Sequence, residues 1–301
     1  MKQVRTFKPF LTADLSSVGK SVMELTKMRL SISVVFSSIA GYMLGVSVID
    51  YTVVAWLALG GYCMVGASNV FNQIIERDLD ALMKRTMNRP IPSGKVSVNS
   101  AFLMGCLLTA AGLIILYNIN PKTAMFGAIS IFLYTSAYTP LKTKTPLSVF
   151  VGAIPGAIPF MLGWVAATND FDIEPGTLFL IQFFWQFPHF WAIGWFLDED
   201  YKRAGFKMLP TSKPDKATAA QIIFYSIWTV IVSLLPAFGI TGRLHLSLTA
   251  AILVFLIGVV MIYFAVQLFI QKTTVAARSL MLVSVLYITL LQIIYVADKL
   301  I

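Results

Sequence analysis

In the run Asn72-Gln-Ile-Ile-Glu76-Arg77-Asp78-Leu79-Asp80, a polar side chain able to bind a cation returns at every fourth residue: Asn72, Glu76 and Asp80. On a helix that spacing puts all three on one face over about two turns. Two carboxylates and an amide oxygen on one stripe suit a hard divalent ion such as Mg²⁺, which keeps some waters and shares its other positions with phosphate oxygens. Asp78 falls roughly opposite Glu76 and is the weaker ligand candidate. A solvated helix end is the plain alternative, but Lys84, Arg85 and Arg89 follow at once. Acids alone repel an anion and cations alone bind phosphate without activating it; the two together predict a diphosphate site. The arginines can grip phosphate oxygens with two prongs.

A second acidic group, Asp198, Glu199 and Asp200, is followed by Tyr201, Lys202 and Arg203. Acidic clusters on opposed helices, with Asn72, Glu76 and Asp80 on one side and Asp198 and Asp200 on the other, can hold metal ions across one diphosphate. The charge gathering on the leaving group is then neutralised. That is the requirement for ionising an allylic diphosphate. Tyr138 and Lys142, four apart, add a phenol and an ammonium, although lysines at such a place also serve as interfacial anchors.

The elements that must position these groups are membrane helices. The chain of 301 residues is 57% hydrophobic and 12% charged, which excludes a single water-soluble domain. Nine uncharged intervals (30–49, 51–75, 96–121, 123–141, 145–169, 175–197, 217–242, 244–271 and 279–297) are each long enough to cross a bilayer. The expected fold is therefore an all-α integral membrane protein, a bundle of nine transmembrane helices in one domain over 1–301. The richest polar islands follow the second and sixth intervals, which suggests two four-helix repeats plus one helix. Lys and Arg split 20 against 3 between the two sides. The positive-inside rule then puts the amino terminus, with its segment 1–19, in the cytoplasm and the carboxyl terminus outside. The net charge of +9 is a topology signal, and nucleic acid is not expected as a partner.

The first 17 residues have no apolar core before a small-residue cleavage site, so no secretory signal is read there; Lys2, Arg5, Phe7, Lys8, Phe10 and Leu11 suit the membrane surface. A bacterial cell membrane is the expected location, with a mitochondrial inner membrane as the alternative. Cys63 and Cys106 lie in separate spans and read as packing residues. The fifth interval carries Gly152, Pro155, Gly156, Pro159 and Gly163, favouring close packing or a kink. The sixth is crowded with rings, including Trp185, Phe190 and Trp191, and contains His189. A membrane-embedded aromatic pocket can shield a carbocation from water, since ring faces attract cations.

Asn72 to Asp80, Tyr138-Thr-Pro-Leu-Lys142 and the acidic run Asp198-Glu-Asp200 resemble the motif set of the UbiA-type intramembrane prenyltransferases, and Trp185-Gln-Phe-Pro-His-Phe-Trp191 and Asp200-Tyr-Lys-Arg203 add a more specific likeness. Within that family they are similar to the heme-farnesylating branch, from about Lys20 to the end. The resemblance implies transfer of a farnesyl group from farnesyl diphosphate to a vinyl group of heme B, with addition of water, giving heme O. It implies Mg²⁺ as cofactor, the lipid bilayer as surroundings and heme A synthase as a partner. Asn72, Glu76 and Asp80 would occupy the first metal-diphosphate motif and Asp200 the second, with Lys142 as a further catalytic residue. Lys84, Arg85, Arg89, Tyr138, His189, Trp191, Tyr201 and Lys202 would bind the substrates. Glu76 stands where many relatives have Asp, and Asp198 and Asp200 are too close for the usual spacing of the second motif. His189 reads as a heme-iron ligand or as a structural histidine bonded across helices. A relative acting on a quinone or chlorophyll precursor, or a transporter, are the competing readings.

Overall fold

The computed structural model describes the backbone of residues 15–301 and side chains from Val18 onward; most of the amino-terminal segment 1–19 lies outside the described residues. Helix α1 (Leu15–Leu25) ends in a turn at Lys27, whose backbone is left-handed (φ 47°), and α2 (Met28–Gly45) follows. The next is α3 (Tyr51–Ile75), started by Asp50 accepting from the Thr52 amide, and then the single turn α4 (Arg77–Asp80). Ser97 caps α5 (Val98–Tyr117). Asn120, with Pro121 in the first turn, caps α6 (Pro121–Phe132). That helix runs on through a π-helical turn, Leu133–Tyr138, into α7 (Thr139–Leu141). Then come α8 (Ser148–Thr168), α9 (Ile173–Phe196) and the short α10 (Asp198–Arg203). Asp215, Ser247 and Thr273 cap α11 (Lys216–Leu234), α12 (Leu248–Gln271) and α13 (Thr274–Leu300). A short polar side chain at each of these starts satisfies an otherwise orphan amide and stabilises the helix by about 1 kcal/mol.

Among the described residues eight helices are long and apolar enough to cross a membrane. They are α2, α3, α5, α6 with its continuation to Leu141, α8, α11 with its continuation to Phe238, α12 and α13. The sequence reading counts nine. The difference is α9, which has 24 residues but dilutes its rings with Gln182, Gln186, Pro188 and His189. Charge-free windows also mark helix ends imperfectly. Helix α13 begins at Thr274 rather than at Ser279: Thr273 caps its start, and Arg278 lies within the helix, over the Phe196 ring, 5.4 Å from its centroid.

Helix α8 is the centre of the bundle, with α2, α6 and α9 around it. Ala153, Ala157, Phe160 and Val165 on it are wholly buried. In lipid, helices associate through close packing rather than by escape from water, so small residues decide where they touch. A Cβ built on Gly163 would stand 1.9 Å from the Ser38 carbonyl oxygen, and one on Gly41 would stand 2.0 Å from that of Phe160. These two glycines let α2 and α8 cross almost backbone to backbone, and any larger residue would force them apart. The outer faces of α5 and α12 instead carry exposed Phe102, Leu103 and Leu107 and exposed Ile252, Phe255 and Leu256. An apolar belt of that extent belongs in a bilayer, and the protein is an integral membrane protein.

Candidate functional site

Although α3 ends at Ile75, the amide of Glu76 still donates to the Asn72 carbonyl (2.9 Å) and that of Asp80 to the Glu76 carbonyl (2.7 Å). The four-residue register therefore survives the break, and Asn72, Glu76 and Asp80 keep one face, all three buried. Asp78, off that face, is 88% exposed at its side chain and meets only Arg77.

Each polar group on the stripe has a partner brought by another segment or turn. The Asn72 amide donates to Thr139 Oγ1 (3.1 Å), which itself donates to the Tyr134 carbonyl five residues back (2.8 Å). That bond belongs to the π-helical turn, a rare local widening found often at functional sites. It sets the register in which Lys142 Nζ reaches Glu76 at 2.8 Å. The same ammonium lies 4.5 Å from the Tyr138 ring centroid and 5.6 Å from that of Phe206. Gly152 makes room for the Tyr138 ring, since a Cβ there would come within 2.5 Å of it. Burial, the largest single influence, depresses the Lys142 ammonium, but the Glu76 carboxylate beside it together with Tyr134 and Tyr201 outweighs that and raises its pKa.

Asp80 is fully buried and accepts from Arg89 Nη1 with both oxygens, at 2.8 and 2.7 Å. Its carbonyl accepts from Thr86 (2.8 Å), which folds the loop 81–89 back over the stripe. Asp200 closes the site from α10: its carboxylate accepts from the backbone amides of Lys84 (3.4 Å) and Arg85 (3.3 Å) and from Arg203 Nη1 (3.0 Å). The Lys207 amide donates to the Lys142 carbonyl (2.7 Å), tying the segment after α10 to the end of α7.

The structure thus gathers Asn72, Glu76, Asp80, Arg89, Tyr138 and Lys142 about one place, and Asp200 joins them through the loop that follows Asp80. Lys84 and Arg85 are exposed, and it is their amides that engage Asp200. Asp198 pairs with Lys202 on its own helix (2.6 Å). Tyr201 packs edge-on against Phe206, and loss of water around its phenol raises its pKa. Trp191 and His189 stand deeper, on α9: Trp191 is buried between Phe187 and Tyr225, and His189 meets Ser284 of α13.

Lys27 is the residue that sequence reasoning missed, having counted it only as a positive-inside charge. Loss of water around its ammonium, and then the charges of Arg89 and Lys142, lower its pKa to about 7 against the opposing pull of Glu76 and Asp80. Its signal was local: a lysine directly ahead of the first span, held by a left-handed turn that L-residues enter only at a cost. Thr139 and Phe206 escaped notice as well.

The donor set, two buried carboxylates with an amide stripe and a third carboxylate opposite, is of the hard-oxygen kind that Mg²⁺ takes. Among the described residues no three Asp, Glu, His or Cys side chains form a ready cage. Each acid is instead matched by a cation or an amide, so these residues fit a metal that arrives with phosphate oxygens to complete its shell.

Residues 34–291 match the UbiA prenyltransferase family. A protoheme IX farnesyltransferase from Christiangramia forsetii is 66% identical over 284 residues, covering 94% of this chain and 95% of that one. In fold, the chain is similar to a membrane digeranylgeranylglyceryl phosphate synthase (TM-score 0.77, 20% identity, 94% and 99% covered). It is similar also to a UbiA homolog from Archaeoglobus fulgidus bound to DMAPP and Mg²⁺ (TM-score 0.62, 15% identity, 92% and 99% covered). A family match that runs from the first membrane helix into the last leaves one conclusion: the chain belongs to the UbiA prenyltransferase family.

Proposed function

We propose that the protein transfers a farnesyl group from farnesyl diphosphate to a vinyl group of heme B at the inner face of the membrane, giving heme O. The likeness to the C. forsetii protoheme IX farnesyltransferase over nearly the full length of both chains carries this reading. In the reaction the allylic C–O bond breaks and its electrons leave with diphosphate. The terminal vinyl carbon bonds to C1 of the farnesyl group. Water then adds to the cationic carbon next to the porphyrin and loses a proton.

The paired charges at the inner helix ends suit the first of these events. Lys142 and Arg89, drawn from Glu76 and Asp80 by a more highly charged anion, would hold phosphate oxygens, and Lys27 would add a third cation. Asn72, Glu76, Asp80 and Asp200, with Asp198 at the margin, would hold Mg²⁺, which when bound neutralises charge on the departing diphosphate. The exposed side chains of Lys84 and Arg85, and that of Lys202 once drawn from Asp198, would swing onto the anion. Tyr138, Phe206 and Tyr201 present rings beside the place where cationic charge develops. His189 and Trp191 stand on the acceptor side. With α9 as a ninth span, the charge asymmetry puts the amino terminus and this site in the cytoplasm and the carboxyl terminus outside, in one integral domain.

The test is to incubate purified protein with heme B, farnesyl diphosphate and Mg²⁺ and weigh the product. The expected product is heme B carrying one farnesyl and one hydroxyl group. Saturable prenylation of an aromatic acid, with heme untouched, would overturn the assignment.

A further inference from the structure

Lys27 stands in the elbow between α1 and α2, close enough to the acidic stripe to feel the charges of Arg89, Lys142, Glu76 and Asp80. Lys142 and Arg89 are already bound to acids, at 2.8 and 2.7 Å. Lys27 has no side-chain hydrogen bond or ion pair among the described residues. The elbow that carries it is held by one face of α3. Tyr62, Gly66, Asn69 and Gln73, spaced four, three and four, share that face. The Tyr62 hydroxyl donates to Thr26 Oγ1 (2.9 Å), whose own proton goes to the Val22 carbonyl (2.9 Å). Gly66 admits the Thr26 methyl, since a Cβ there would stand 3.2 Å from it. Asn69 Nδ2 donates to the Thr26 carbonyl (3.3 Å), and Gln73 Nε2 donates to that of Leu25 (2.8 Å). Leu25 in turn packs in one apolar cluster with Ile91, two residues beyond Arg89.

The carbonyls of Leu25 and Thr26 lie at the end of α1, where a helix leaves such groups without partners. The left-handed backbone of Lys27 carries strain, which persists only where the surroundings over-determine it. Gln73 is wholly buried, and its Oε1 has no partner among the described residues. As mere filling it is a poor choice, because an apolar side chain of its length would avoid the unpaired oxygen. What the glutamine supplies is the bond to the elbow. At about 100° per residue, Gln73 lies on the flank of α3 next to Asn72. One helix thus carries the acidic stripe on one flank and, on the next, grips the segment bearing an unpaired cation. Resting on the proposed use of farnesyl diphosphate, we infer that Gln73, helped by Asn69, is a positioning residue that holds the α1–α2 elbow so that Lys27 makes the first contact with the diphosphate. Lys142 and Arg89 must leave a carboxylate before they can bind phosphate oxygens; Lys27 has none to leave.

The test is a double-mutant cycle at pH 6, where Lys27 is cationic. Gln73→Met keeps length and bulk but loses the donor. It is expected to raise KM for farnesyl diphosphate, and the inhibition constant of inorganic diphosphate with Mg²⁺, by about fivefold, the scale of one partly exposed charge contact. The value of kcat and the KM for heme B should hardly move. Lys27→Met should give the same rise, and Gln73→Met added to Lys27→Met should give no more. Tyr62→Phe, which keeps the ring and removes only the hydroxyl at Thr26, is the second variant should Gln73→Met fail to fold. Its rise should be smaller and again absent once Lys27 is gone. A KM unmoved in these variants, or a rise of equal size with and without Lys27, overturns the positioning role and leaves the proposed reaction standing. An unaltered protein that neither uses farnesyl diphosphate nor is inhibited by inorganic diphosphate overturns the reaction and this inference with it.

Discussion

The two acidic groups lie at the same end of the bundle and meet opposite surroundings. On α3 and α4, Glu76 and Asp80 are buried and each is locked to one cation, Lys142 or Arg89. On α10, Glu199 is 93% exposed at its side chain, Asp198 bonds along its own helix, and only Asp200 reaches across, to two backbone amides and Arg203. The first arm is thus preformed and held by strong charge-assisted bonds; the second is a clasp that depends on the loop it touches. Buried pairs are costly to break one partner at a time, whereas exposed pairs contribute little. Positioning of the diphosphate should therefore be governed by the α3–α4 arm.

The largest effect is expected at Asp80. Asp80→Asn strands the Arg89 charge and removes a carboxylate from the stripe. Turnover with farnesyl diphosphate should fall by roughly 100- to 1000-fold, as when a preorganised electrostatic group is removed. Steady-state kinetics in detergent or nanodiscs would measure it, and a loss no larger than that of Asp200→Asn would abolish the ranking. For Asp200→Asn we expect a loss of about tenfold, chiefly in KM, because the loop at Lys84 and Arg85 loses its clasp while the buried pairs persist (about 1.4 kcal/mol for each factor of ten).

A smaller effect concerns pH and belongs to the preformed arm alone. With a pKa of about 7, Lys27 is cationic at pH 6 and mostly neutral at pH 8. Its attraction for diphosphate is present below that pKa and lost as pH rises through it. Hence kcat/KM for farnesyl diphosphate should decline several-fold between pH 6.5 and 8.5 (roughly the span over which a lysine of that pKa discharges). Lys27→Arg, always charged, should flatten the profile; a decline of equal depth in that variant would remove Lys27 from the account. The smallest effect is at Glu199. Because it projects into solvent, Glu199→Gln should leave activity within about twofold and stability within about 0.5 kcal/mol, the usual range for surface changes. A Glu199 defect comparable with that of Asp200 would mean that the clasp closes further than its present contacts imply.

Much of the preformed arm was legible in the chain because it is local. The spacing of Asn72, Glu76 and Asp80 and the nearness of Arg89 are properties of consecutive turns, and helical starts follow from capping residues such as Asn120 and Asp215. Contacts between distant segments left weaker traces. Nothing in the composition marks the π-helical turn that puts Thr139 beside Asn72, nor the left-handed backbone of Lys27, where α1 turns into α2. Lys84 and Arg85 read as phosphate-binding side chains, and nothing in the sequence shows that their backbone amides also engage Asp200. Hydropathy also blurs α9, where Gln186 and His189, which carry interhelical bonds, lower its apolarity.

The claim that one buried stripe holds the diphosphate is tested most directly by binding without turnover. Titration calorimetry with an unreactive farnesyl thiodiphosphate and Mg²⁺ would compare Asp80→Asn with Asp78→Asn, two neutralised carboxylates only two residues apart. The account predicts about a 100-fold loss of affinity in the first (roughly 2.7 kcal/mol) and none in the second. Equal affinities in the two variants would contradict it.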